Sequence, residues 1–148
     1  LERPSQTIFY TIERAIKEYR KFAQNQINEK IKDITIDQAL VLFFITDQPE
    51  LSQSEIGDII FKDNASISRM IELMIKNDYL VREMNSEDRR KFKLAPSAKG
   101  KRVFADLKKI IAKNRETALR HISETEILQL FQTLDQIISN CQEKKQLK

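Results

Sequence analysis

Residues 51–100 read LSQSEIGDII FKDNASISRM IELMIKNDYL VREMNSEDRR KFKLAPSAKG, and the order of patterns within them decides the fold. Ser52 and Glu55 have the S-x-x-E spacing of a capping box, in which hydroxyl and carboxylate satisfy the free N–H groups of a helix start. Ile56, Ile59 and Ile60 follow at helical spacing as the expected core side, and Phe61 closes that apolar face. Lys62-Asp63-Asn64 carries turn and N-cap chemistry. A second helix is expected over residues 64–77, with Ile67, Met70, Ile71, Met74 and Ile75 as its apolar stripe and Leu73 at the edge. The pattern then changes to period two, predicting strands over residues 79–84 and 91–94 with Val81, Phe92 and Leu94 facing inward. Residues 85–90 form a polar turn between them, and Ser97 opens a long helix.

Short helix, turn, helix, strand, basic hairpin, strand is the element order of a winged helix-turn-helix, a fold that places one helix in the DNA major groove with a hairpin beside it. The second helix leaves Ala65, Ser66, Ser68, Arg69, Glu72 and Lys76 outside its stripe. Small residues let a helix end approach a surface closely. Serine hydroxyls can donate to phosphates or base edges, and Arg69 can fork onto a guanine or a phosphate. The helix N-terminus itself favours a phosphate. From Arg82 to Arg102 there are eight basic and three acidic residues, a local charge of +5 in a chain that nets +4. The positive charge is therefore concentrated on the hairpin and its flank, where a phosphate backbone would lie. The candidate DNA-binding residues are Ser52, Ser54, Asn64, Ala65, Ser66, Ser68, Arg69, Asp88, Arg89, Arg90 and Lys91. Asp88 is expected to orient one of the two arginines through a charge-assisted bond.

Three segments in sequence, Gln53-Ser54-Glu55-Ile56, Ala65-Ser66-Ile67-Ser68-Arg69 and Glu87-Asp88-Arg89-Arg90, resemble the MarR family of bacterial transcriptional regulators. The wing signature of that family is Asp-x-Arg, a strand, then Thr-x-x-Gly opening a long helix. Here Asp88-Arg89-Arg90 and Ser97-Ala98-Lys99-Gly100 stand in those places. Serine keeps the capping hydroxyl of threonine, and Pro96 stands where leucine is usual. The resemblance covers nearly the whole chain. It implies a homodimer, a palindromic operator and release by a small aromatic or phenolic anion bound between the dimer helices and the winged domain. Phe9, Tyr10, Phe43, Phe44 and Phe104 are the candidates to line such a cleft, and each also reads as ordinary core. Some members of the family sense oxidants through a thiol in the first helix. The lone Cys141 lies instead on the apolar face of the last helix, where it is expected to be a buried small hydrophobe.

The 148 residues are enough for one domain with helical extensions, and two glycines and three prolines suit a mostly helical chain. A first helix is expected over residues 5–30, with Ile8, Ile12, Ala15, Ile16, Tyr19, Phe22, Ala23 and Ile27 at spacings of three and four. Thr35 and Gln38 form a T-x-x-Q box, and Ala39, Leu40, Phe43 and Phe44 are the core side of the helix that ends near Pro49. The long helix over residues 98–121 carries Val103, Phe104, Leu107, Ile110, Ile111, Ala118 and Leu119. Ser123 and Glu126 start a last helix whose apolar face runs through Ile127, Leu128, Leu130, Phe131, Leu134, Ile137, Ile138 and Cys141.

The fold class expected is mainly α with a small β-hairpin wing. Residues 1–34 form an N-terminal dimerisation helix, 35–97 the winged helix-turn-helix and 98–148 the C-terminal dimerisation helices. The terminal helices hold more apolar residues than a small winged helix can cover, and an uncovered apolar face marks an interface. The alternative is a monomer whose terminal helices cap each other. No glycine-rich phosphate loop, H-E-x-x-H or C-x-x-C occurs, so no enzymatic activity, metal or cofactor is expected. His121, the only histidine, falls at an expected helix end, where its charge complements the helix dipole. One cysteine, no apolar run of spanning length and no signal-peptide pattern lead to a cytoplasmic expectation. The expected partner is double-stranded DNA. The competing reading is a winged helix used as a protein-interaction module without DNA.

Overall fold

The computed structural model of the chain describes residues 2–84, 87–88 and 92–143. Among them are six α-helices and one two-stranded antiparallel hairpin, in the order expected of a winged helix-turn-helix with helical flanks. The chain divides into two compact units, Leu1–Asn114 and Arg115–Lys148.

In the first unit, a short 3-10 turn at Pro4–Gln6 leads into α1 (Ile8–Asn28), which opens where the Thr7 hydroxyl accepts from the Tyr10 N–H at 3.2 Å. Helix α2 (Ile36–Asp47) begins at the Thr35/Gln38 capping box, with both reciprocal hydrogen bonds formed. It runs through the middle of the core, and Val41 and Leu42 are fully buried. Pro49, two residues beyond its end, bars continuation. The Ser52/Glu55 box opens α3 (Gln53–Ile59). This helix closes with Lys62 N–H donating to the Gly57 carbonyl at 2.8 Å and Phe61 N–H to the Asp58 carbonyl, a Schellman closure with Phe61 at φ 62. Asp63 then caps α4 (Asn64–Lys76), accepting from the Ser66 N–H at 2.7 Å.

Strands β1 (Leu80–Met84) and β2 (Phe92–Pro96) pair in a register running from Leu80 opposite Pro96 to Met84 opposite Phe92. The second strand therefore reaches Pro96, which a two-stranded ladder tolerates at its end. Helix α5 (Ala98–Ala118) opens with Gly100 N–H donating to Ser97 Oγ at 2.9 Å, so serine supplies the expected cap.

The core joins Ile27, Ile31 and Ile34 to α2, to Ile56 and Ile60 of α3, to Ile67, Ile71 and Met74 of α4, and to Tyr79, Leu80, Leu107 and Ile110. A polar knot fixes the end of α4 beside the start of α5. The Tyr79 hydroxyl donates to Asp33, and Ser97 donates through its hydroxyl to the Asp78 carbonyl and through its N–H to the Tyr79 carbonyl. Lys99 Nζ donates to the Asn77 carbonyl at 2.8 Å and lies 4.3 Å from the centre of the Tyr79 ring.

Several expected core residues lie outside. Ile59 and Phe61 are 44% and 94% exposed. A seven-residue helix has room on one face for only Ile56 and Ile60, one turn apart, and the αL step at Phe61 turns its ring into solvent. Val81 pairs with Ala95 and so lies on the opposite face from Leu94 and Phe92, while Met84 and Phe92 are 62% and 64% exposed. Among the described residues, only the base of the hairpin reaches the core, through Leu80 and Leu94. Phe43 is also exposed.

The second unit contains α6 (Glu124–Gln142), opened by the Ser123/Glu126 capping box. Helix α5 ends at Ala118 rather than near His121, which sits in the following turn at φ 67. No residue of α6 is buried, and Leu128, Leu130, Phe131 and Ile138 are exposed. Cys141 is exposed as well, contrary to the expectation that it would be a buried hydrophobe.

Candidate nucleic-acid interface

Helix α4 divides lengthwise. Ile67, Ile71 and Met74 are buried, and the opposite side presents Ala65, Ser68, Arg69 and Glu72 at spacings of three and four. Asn64, Ala65 and Arg69 are exposed, and Ser66 and Ser68 are half-buried. The helix start is free of apolar cover but well ordered by its cap. Hydrogen bonds from the Ser66 backbone and hydroxyl hold the Asp63 carboxyl below its usual range, with the Arg69 charge adding to the effect. Arg69 reaches back to Ser66 Oγ at 3.5 Å, a long contact that a better acceptor can replace.

Helix α3 braces this face. Gln53 Nε2 donates to Ser68 Oγ at 2.6 Å, tying the first residue of α3 to the exposed side of α4. Gln53 was not among the expected site residues, since nothing local in the sequence points a glutamine in one helix at a serine fifteen positions away. The Ser52 hydroxyl is used as a cap, accepting from the Glu55 N–H at 3.1 Å, and its own N–H donates to Glu55 Oε1 at 3.2 Å. Ser54 is exposed on the same short helix.

The hairpin stands beside α3 and α4. A groove of about 1100 Å³ separates β1 and β2 from the α2–α3 connection, lined among others by Pro49, Leu51, Ser52, Arg82, Met84 and Phe92. Arg82 crosses from β1 to pair with Glu72 of α4, a second link absent from the sequence reading. Asp88 is half-buried. Arg89, Arg90 and Lys91 lie outside the described residues, and with them the reading that Asp88 orients an arginine.

Of the five aromatic residues considered for a small-molecule cleft, three come together. The Phe43 and Phe44 rings are 5.5 Å apart edge to face, and Phe43 and Phe104 are 6.0 Å apart. Phe9 and Tyr10 are exposed at the start of α1, and no ring contact among the described residues joins them to that cluster. Among the described residues no group of three or more His, Cys, Asp or Glu is placed to hold a metal ion, and no helix is long and apolar enough to cross a membrane.

The model of the MarR family matches residues 32–91, the span holding α2, α3, α4 and β1, with β2 beyond its end. The chain is 26% identical over 123 residues to the HTH-type transcriptional regulator SarZ of Staphylococcus aureus strain USA300, covering 83% of this chain and 80% of that protein. Among solved structures it resembles the transcriptional regulator SlyA, with a TM-score of 0.78 and 22% identity over 97% of this chain and 100% of that one. It also resembles MepR of S. aureus in a DNA complex, with a TM-score of 0.78 and 19% identity over 90% of this chain and 98% of that one. At these identities the two structural likenesses establish the fold.

Proposed function

The chain belongs to the MarR family of transcriptional regulators, and from that premise we propose that it binds double-stranded DNA as a homodimer and represses transcription at a palindromic operator. The observation that carries the reading is the exposed, capped and apolar-free start of α4, with Asn64, Ala65, Ser66, Ser68 and Arg69 at its tip and outer stripe. That helix enters the major groove. Small side chains let its N-terminal turn approach the base edges, Arg69 forks onto a guanine or phosphate, and Ser52 and Ser54 meet the flanking backbone. The hairpin lays Arg89, Arg90 and Lys91 along the backbone or into a narrow minor groove. MepR, a structural neighbour, was solved with DNA, which supports this use of the fold.

Two copies are held together by the terminal helices. Ile8, Phe9 and Ile16 of α1 are exposed in the single chain, as are Leu128, Leu130, Phe131 and Ile138 of α6, and self-association would cover the apolar residues of each helix. Residues 1–34 and 98–148 serve dimerisation and residues 35–97 read DNA. Two-fold symmetry then sets half-sites about one helical turn apart. A small aromatic anion seated near Phe43, Phe44 and Phe104 favours one spacing of the two reading heads and so lowers DNA affinity. The protein acts in the cytoplasm.

Selection of bound sequences from a random duplex pool tests the reading. An enriched palindrome with half-sites one turn apart is the expected result. Failure to enrich any sequence, with no salt-dependent binding to random duplex, rejects it and leaves the protein-interaction module. Light scattering at micromolar concentration tests the dimer, and a clean monomer rejects it.

A further inference from the structure

Arg20 of α1, Asp37 in the first turn of α2 and Lys62 in the α3–α4 turn meet at one carboxylate. Arg20 Nη2 donates to Asp37 Oδ1 at 2.6 Å, and Lys62 Nζ lies 3.2 Å from Asp37 Oδ2, so each oxygen serves a different element. The Asp37 side chain is only 18% exposed, and its two partners are 43% and 36% exposed. One turn further along α1, Gln24 grips the same end of α2 through its backbone. The Ile36 N–H donates to Gln24 Oε1 at 3.0 Å, and Gln24 Nε2 donates to the Ile34 carbonyl at 3.0 Å. Helix α1 therefore holds the α2 N-terminus twice, and Asp37 passes that hold to Lys62.

Lys62 is placed for this. Its N–H closes α3 on the Gly57 carbonyl, and the next residue, Asp63, is the cap of α4. A displacement of Lys62 moves the first turn of α4 directly. Asp37 in the first turn of α2 is favoured there by the helix dipole as well as by the two cations.

We infer that Asp37 is a positioning residue for DNA recognition: by clamping Lys62 to Arg20 it fixes the N-terminal turn of α4 relative to α1 without itself touching DNA. This rests on the reading that α4 meets DNA, and it goes beyond that reading by assigning work to three residues away from the reading face. Helix α1 is also proposed to lie in the dimer interface, so the clamp connects the surface that sets the spacing of two copies to the tip of the helix that reads bases.

The test combines two measurements on the full chain. Amide hydrogen exchange in the free protein follows Ser66 and Ile67, whose N–H groups bond to Asp63, with Leu107 and Ile110 of the core as references. Fluorescence anisotropy follows binding to the selected duplex across a salt series. Asp37→Asn is expected to weaken binding about fivefold with an unchanged salt slope, and to speed exchange at Ser66 and Ile67 but not at the references. Lys62→Met should behave alike, and the double variant should be no worse than either single one. Additive losses overturn the clamp, as does unchanged exchange in Asp37→Asn or exchange that rises equally everywhere. A salt slope reduced by about one in Lys62→Met also overturns it, because Lys62 would then be a phosphate contact. Arg69→Ala separates the two ideas. If neither it nor the wild type shows specific binding, the DNA reading has failed, and the exchange measurement decides the clamp alone.

Discussion

The Arg82 guanidinium on β1 donates to the Glu72 carboxylate on α4, so the hairpin is ionically tied to the helix that presents Ser68 and Arg69. The two side chains are 42% and 60% exposed, and a solvated pair of this kind contributes less than about 1 kcal/mol to folding. Its consequence is geometric. It fixes the angle between the two elements proposed to meet one stretch of DNA together. Glu72→Gln and Arg82→Gln are each expected to weaken binding about threefold while the urea midpoint barely moves, with no further loss in the double variant. Anisotropy and urea titration check this, and additive losses would mean that Arg82 contacts DNA on its own.

Gly100 admits no side chain. A Cβ there would lie 2.2 Å from the Tyr79 carbonyl oxygen, a backbone atom locked by the Ser97 N–H. Gly100→Ala is expected to cost about 3 kcal/mol of unfolding free energy in urea titration, because neither backbone can yield without breaking the knot at the end of α4. Gly57→Ala meets the Lys62 carbonyl at 3.1 Å and Ile67 Cγ2 at 3.3 Å, and should cost about 1 kcal/mol.

Phe61 holds the αL seat of a Schellman closure, the place where glycine is usual, and its ring is 94% exposed. Replacing it removes strain and almost no burial. Phe61→Gly is expected to raise the unfolding free energy by about 1 kcal/mol, seen as a higher thermal midpoint. A lower midpoint would show that the ring is covered in the folded protein.

Burial by itself would raise the Asp37 pKa, but the hydrogen bonds and charges of Arg20 and Lys62 outweigh it and hold the carboxyl below its usual range. A carboxyl with a lowered folded-state pKa stabilises the fold fully above its unfolded value near 3.8, and that contribution is lost as pH falls through the lower, folded value. Urea midpoints from pH 6 to pH 2 should therefore fall more steeply for the wild type than for Asp37→Asn. Parallel curves would remove the ion triad from the acid response.

Arg69→Ala is expected to weaken specific binding by a factor of ten or more, on the order of the 1–3 kcal/mol of a base-reading arginine, and to relax the selected sequence at one position. Arg90→Ala should weaken all sequences alike and lower the salt slope by about one. Equal affinity to the wild type in both variants would remove DNA reading from α4 and the hairpin.

Element type, order and starting points were legible because they are local. The Ser52/Glu55, Thr35/Gln38 and Ser123/Glu126 boxes act within one turn of chain, and each opens a helix where its spacing predicts. The stripe of α4 was legible in the same way, since a helix long enough to repeat its period declares its buried face, as Ile67, Ile71 and Met74 do. Short elements gave less. Ile59 on a seven-residue helix, Phe61 just beyond its end and Val81 on a five-residue strand were assigned to the core, but too few turns or pairs existed to fix the face. Among the DNA-binding candidates, sequence could nominate Asn64, Ala65, Ser66, Ser68 and Arg69 from their absence from the apolar stripe. It had no means of pairing Gln53 with Ser68 or Glu72 with Arg82.

The sequence by itself determined a winged helix-turn-helix with amphipathic flanking helices and a positive charge gathered on the hairpin. Capping, periodicity and charge clustering are properties of neighbouring residues, and they survive without knowledge of the fold. Only the tertiary structure decided that Gln53 braces Ser68, that Arg82 holds Glu72, and that Asp37 joins Arg20 to Lys62. Those pairs are ten to twenty-five positions apart, and an ion pair or hydrogen bond depends on a few ångströms of separation that chain order does not specify. Packing of the Ile-rich core brings these partners within reach, and with them the placement of the helix that the proposed function depends on.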